Sequence, residues 1–202
     1  MHRTVIVLLA LALVLPLAGC GGDSSAAATS VGTTPAGADG AQAPRAGWTV
    51  VNDDARGFWV SFPSDWRRAR RSLTPHLLDP REILSVGTGP LVPASGGCAH
   101  MPVGALSRLG PRDALVSIQE SRHPSSGYPA RPARFRLGRA NLSEAAACLS
   151  DPTRLDTWFM PFGDGDRAFY ALVALGRPAT GARRKLAERV LDSLRFTAKT
   201  HR

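Results

Sequence analysis

Trp48-Thr49-Val50-Val51-Asn52 and Phe58-Trp59-Val60-Ser61-Phe62 are short runs rich in β-branched and aromatic residues, separated by Asp53-Asp54-Ala55-Arg56-Gly57. Two such runs around a turn-rich stretch predict an antiparallel hairpin. In the second run Phe58, Val60 and Phe62 share one face and Trp59 and Ser61 the other, because side chains alternate along a strand. Pro63 ends it by removing a ladder donor. Glu82 to Thr88 predicts a third strand, and Val103 to Leu109 a short helix stopped by Gly110-Pro111. Ala114 to Glu120 suits a strand, although Asp113 before it would equally cap a helix. Arg134-Phe135-Arg136-Leu137 alternates strictly, which predicts a strand with Ala133, Phe135 and Leu137 inward and Arg134 and Arg136 outward. Leu155 to Phe162 and Arg167 to Leu175 flank Gly163-Asp164-Gly165-Asp166, a hairpin signal with Asp-Gly at its centre. Ala168 to Leu175 is apolar on both faces, so that strand belongs inside a sheet covered on two sides. A final amphipathic helix is expected from Ala182 to Leu194, capped by Thr180. Leu186, Val190, Leu191 and Leu194 form its apolar stripe, while Arg183, Lys185, Glu188, Arg189 and Asp192 point to solvent.

Strands that follow one another through hairpins, closed by a helix, predict an α+β fold with a mainly antiparallel sheet and helices packed on it. Two segments carry a resemblance. Gly57-Phe58-Trp59-Val60-Ser61-Phe62-Pro63-Ser64-Asp65-Trp66 resembles the entry strand, Pro and Trp of PsbP-like domains. Leu186 to Phe196, ending Ser193-Leu194-Arg195-Phe196, is similar to their terminal helix. The resemblance implies an α/β/α sandwich around an antiparallel sheet and brings no catalytic set with it.

The N-terminus has a different pattern. His2 and Arg3 precede an apolar run from Val5 to Leu17 broken only by Pro16, the layout of an export signal. The run is shorter than the ~20 residues a spanning helix needs. Leu17-Ala18-Gly19-Cys20 resembles the bacterial lipobox. By that resemblance residues 1–19 are a lipoprotein signal peptide, and Cys20 becomes the diacylated N-terminus on the extracytoplasmic face of the cell membrane. Two acyl chains hold where one does not, at ~0.8 kcal/mol per buried CH₂. Residues 21–47 are mostly Gly, Ala, Ser, Thr and Pro and cannot offset the entropy of ordering. Residues 20–47 are therefore a lipidated tether, 48–199 a single globular domain, and 200–202 a tail.

Composition then narrows the chemistry. Of 25 basic residues only Lys185 and Lys199 are lysines. Neither follows Gly, as a P-loop requires, and Ala182 and Phe196 stand where a Ser-x-x-Lys nucleophile needs Ser. With Cys20 lipidated, Cys98 and Cys148 are an even pair in an exported domain, which points to a disulfide. Cys98-Ala99-His100 offers metal binding as the rival, but no second tight ligand pair accompanies it. His76, His100 and His123 sit in loop-like surroundings without a Gly-x-Ser-x-Gly elbow. Asp164 and Asp166 fit a turn better than a calcium site. No cofactor or metal is expected.

The net charge is +9. Arginines cluster at 67, 68, 70 and 71, at 131, 134, 136 and 139, and, with Lys185, at 183 and 184. The last cluster opposes the helix macrodipole and would suit an anion at the helix start. Arg131, Arg134, Arg136 and Arg139 are the candidate anion-binding set, on a shared face. A chain with 23 arginines and two lysines also fits a genome in which solvated positions default to Arg. Export makes nucleic acid an unsuitable partner and leaves anionic lipid, a wall polymer or an envelope protein. The expectation is a non-catalytic envelope binding module; the alternative is a small envelope hydrolase with a His-based site.

Overall fold

In the computed structural model, residues 45–94, 96–123, 125–140 and 147–197 are described. The expected signal peptide, Cys20 and the expected tether through residue 44 lie outside the described residues. Trp48–Asp53 (β1) and Phe58–Pro63 (β2) pair antiparallel in the register Val50↔Ser61 and Asn52↔Trp59. The turn between them passes through Gly57 at φ 62°, where a Cβ would come within 2.5 Å of Thr197 Oγ1. Only glycine combines that backbone with that approach. The eighth strand, Arg195–Phe196 (β8), adds to the other edge of β2, giving a three-stranded sheet.

The larger sheet is built from Arg67–Arg68 (β3), Arg81–Gly87 (β4), Ala114–Ser121 (β5), Leu155–Asp164 (β6) and Arg167–Gly176 (β7), in the order β3-β4-β5-β7-β6. Every neighbouring pair is antiparallel, so the α+β class with mainly antiparallel sheet is what the chain adopts. The β6–β7 turn passes through Gly165 at φ 61°, the position that Asp-Gly marked. A bulge between Glu82 and Leu84 puts Ile83 and Leu84 into the same core and Glu82 onto the opposite face.

Two cores lie on the two faces of the larger sheet. On one face Phe58, Val60 and Phe62 of β2 and Ala187, Val190 and Leu191 of the helix Gly181–Ser193 (α2) pack against Val116, Ile118, Ala171 and Val173. On the other, Leu115, Leu172 and Ala174 meet Ala105 and Leu106 of the short helix Val103–Leu106 (α1), with Leu73, Met101 and Leu109. Strand β7 lies between β5 and β6 and feeds both cores, which is why it is apolar on both faces. Arg167, 2% exposed, ties the sheets together: it pairs with Glu120 at 2.9 Å and donates to the carbonyls of Gly57, Thr197 and Arg56. Cys98 and Cys148 are joined, with Cα atoms 5.7 Å apart.

Four expectations need correction. The helix after Met101 ends at Leu106, and only turn-type bonds carry on to Leu109. Residues 134–137 are not a strand, although Phe135 and Leu137 are buried and Arg134 and Arg136 exposed as the alternation requires. Ala133 is exposed, not inward. The backbone donors of this segment go to a helix instead: Phe135 N–H to Asp192 and Leu137 N–H to Glu188, both at 2.7 Å. Glu188 and Asp192 therefore face a neighbouring chain segment and not open solvent.

A candidate anion-binding groove beside two tryptophans

The β1–β2 hairpin buries Phe58, Val60 and Phe62, which leaves Trp59 and Ser61 on its outer face. The register puts Trp48 and Val50 on that face too. These four residues floor a groove of about 720 Å³. Its walls come from Ala133 and Arg134 in the extended segment, from Arg189, Asp192 and Ser193 of α2, and from Arg195; Arg45 closes one end. Ser193 fixes the angle between hairpin and helix, because its hydroxyl accepts the Ser61 N–H and lies 2.9 Å from the Ser61 carbonyl. That bond satisfies β2 where the two-residue β8 has run out.

Four guanidinium groups line the groove against one carboxylate. Arg134 and Arg189 are exposed and, among the described residues, their side chains make no hydrogen bond or ion pair. Arg45 stands over the Trp48 ring at 5.7 Å, and Arg195 donates to the carbonyls of Asp192 and Leu194. Asp192 accepts the Phe135 N–H and its charge offsets one of the four cations. Unpaired guanidinium forks suit carboxylate or phosphate oxygens, and the half-buried indoles add apolar floor.

The arginine quartet expected on one face is divided. Arg131 pairs with Asp164 at 2.8 Å and donates to Leu194 O at 2.7 Å, holding the C-terminal end of α2. Arg136 bonds its neighbour's carbonyl at Phe135 and lies 4.0 Å from Glu188. Arg139 lines a separate concavity of about 470 Å³ with Asp156, Arg177 and Arg184. Only Arg134 reaches the groove. The cluster at the start of α2 is divided as well: Arg183 donates to the carbonyls of Pro111, Gly176, Pro178 and Asp113. Burial pushes its pKa below the ordinary arginine value, with Asp113 and Asp156 acting the other way. Thr180 caps α2 by accepting the Arg183 N–H, as its sequence position implied. Arg68, Arg70 and Arg71 line a third concavity of about 390 Å³, with Arg68 paired to Asp53 at 3.1 Å.

None of these three concavities includes a histidine. His76 bonds the Ala99 carbonyl, and His123 lies 3.5 Å from Asp79. His100 packs against the stacked Phe159 and Tyr170 rings, with ring centres 5.4 and 5.1 Å away. Buried Glu82 accepts from the Leu73 and Thr74 amides and from the hydroxyls of Ser72, Thr74 and Ser85, which fixes the loop before β4. Among the described residues no group of three or more His, Cys, Asp or Glu is placed to hold a metal ion, and no helix is long and apolar enough to cross a membrane.

Sequence reasoning found Trp59 facing outward but left Arg189 as a solvated helix position. Ser61 and Ser193 stand 132 residues apart, and no local pattern announces that their two faces meet. No family model, curated protein or solved structure matches the chain.

Proposed function

We propose that the chain is a lipid-anchored protein of the extracytoplasmic membrane face, whose globular domain holds an anionic envelope component without catalysing a reaction. The anchor rests on Leu17-Ala18-Gly19-Cys20 behind a short apolar run. The binding role rests on one observation: Arg134 and Arg189, exposed and with no ion pair among the described residues, line a single groove with Trp48 and Trp59. Ion pairing elsewhere in the domain is common, so two guanidiniums in one concavity with no ion pair among the described residues are where an outside anion meets least competition. A PsbP-like sandwich is the finer fold assignment in this reading. It is supported by the meeting of the two segments that carry the resemblance, through Trp59 opposite Arg195 and Ser61 against Ser193.

Two measurements test the two halves. Cys20→Ser in the full chain should abolish lipid labelling and release the protein from membranes without detergent; unchanged membrane partition overturns the anchor. For binding, full-length protein in neutral detergent micelles is titrated with polyphosphate, polyglutamate and polygalacturonate. Arg134→Gln with Arg189→Gln should weaken the tightest of these by about tenfold. The control pair Arg108→Gln with Arg112→Gln removes the same charge from exposed positions outside the groove and should cost far less. Equal losses from both pairs would mean that net charge alone, not the groove, holds the anion.

A further inference from the structure

Resting on that binding reading, we infer that the groove takes an extended anionic polysaccharide, with sugar rings on Trp48 and Trp59 and acidic groups on Arg134 and Arg189. The spacing of the tryptophans is the first reason. Trp48 stands opposite Pro63 and Trp59 opposite Asn52, on the same outer face and four residues apart along the ladder. At ~3.3 Å per residue the backbone positions that carry the two indoles are offset by about 13 Å along the ladder, farther than one six-membered ring reaches. A single head group, a free phosphate or a monosaccharide engages one indole. A chain of rings engages both.

The second reason is the surface between them. Val50 and Ser61 form the middle of the floor, apolar on one strand and hydroxylic on the other. A sugar ring has the same division, with a C–H face that lies on indole or valine and hydroxyls at its rim. Third, Arg134 and Arg189 come from the extended segment and α2, on the wall and not the floor. A substituent at the rim of a ring lying flat on the tryptophans points toward that wall. Each guanidinium offers two parallel donors to a carboxylate or phosphate there. Arg45 over Trp48 adds a further cation at one end. A run of acidic residues such as polyglutamate would satisfy the arginines but offers no flat apolar face to two indoles.

The test uses full-length protein in neutral detergent micelles and calorimetric titration. The probes are galacturonate oligomers from monomer to hexamer, neutral malto-oligomers of the same lengths, polyglutamate of matching charge, and inorganic phosphate. Affinity for galacturonate should rise by about tenfold or more between monomer and tetramer. Malto-oligomers, polyglutamate and phosphate should all bind at least about tenfold more weakly than the tetramer. Trp59→Ala should remove most of the gain with length and Trp59→Phe should keep part of it. The wild-type length series stands by itself if Trp59→Ala fails to fold. A flat length series, or polyglutamate binding as tightly as galacturonate, overturns the polysaccharide inference and leaves an unselective anion groove. Failure of every anion to bind overturns the binding reading together with it.

Discussion

The Glu188 carboxylate accepts the backbone N–H of Leu137 at 2.7 Å. One helical turn later, Asp192 does the same for Phe135. The match is geometric. Four residues of α-helix rise about 6 Å, and two residues of extended chain about 6.6 Å, so carboxylates at i and i+4 meet amides at j and j−2. The extended segment is thereby held against α2 without a strand partner. Arg134 is left on the groove side.

Losing either carboxylate leaves a part-buried amide without an acceptor, which costs about 1–3 kcal/mol. Glu188→Ala and Asp192→Ala should each lower stability by that amount in urea titrations, and Asp192→Asn, which keeps an acceptor, should recover most of it. Arg136→Gln, 65% exposed, should stay within about 0.5 kcal/mol of wild type. Alanine variants as stable as Arg136→Gln would show that the two carboxylates do not hold the segment.

Removing Arg167 takes away its ion pair with buried Glu120 and frees three backbone carbonyls at once. Arg167→Ala should cost about 3–5 kcal/mol. Arg167→Lys should restore little, since a point charge cannot reproduce the fork. Thermal unfolding of the three proteins is the measurement; a lysine variant near wild type would mean that charge alone matters here.

The Cys98–Cys148 bridge spans 50 residues, for which the chain-entropy account gives about 4 kcal/mol. The reductant-treated protein should unfold at correspondingly lower urea and gain the mass of two hydrogens. Two thiols free to alkylate in the unreduced, denatured protein would eliminate the bridge.

Asp53 supplies a pH dependence. Burial alone would raise its pKa, but hydrogen bonds from the Arg56 and Arg68 side chains and the Arg56 amide outweigh it, and the net shift is downward. A carboxyl whose pKa is lower folded than unfolded contributes stability above the unfolded value, near 3.9. That stability is lost as pH falls through the folded value. Stability measured against pH should therefore decline on the acid side, and Asp53→Asn should make that decline shallower. Superimposable acid limbs would assign the decline to other carboxylates.

Both hairpins, the Thr180 cap and the Cys98–Cys148 pair were legible in the sequence because each is specified locally. Alternation of Phe58, Val60 and Phe62 selects a face, Asp-Gly before Asp166 selects a turn, and Cys98 and Cys148 are an even pair within the globular region. The apolar run of β7 likewise required cover on both sides before the covering groups were known. Arg134 to Leu137 marks where this stops. An extended segment shows the same alternation whether its amides meet a strand or two helical carboxylates, so burial was foreseen and the partner was not. The arginines stand still further from local reading. Arg131, Arg167 and Arg183 have no distinguishing neighbours, yet carbonyl oxygens brought in from distant elements make them structural. Arg134 and Arg189 differ from them in that, among the described residues, the fold brings their side chains no acceptor. Periodicity and turn chemistry act over a few residues and the sequence determines them; the division of like charges between scaffold and groove depends on which distant oxygens arrive, and only the tertiary structure decides that.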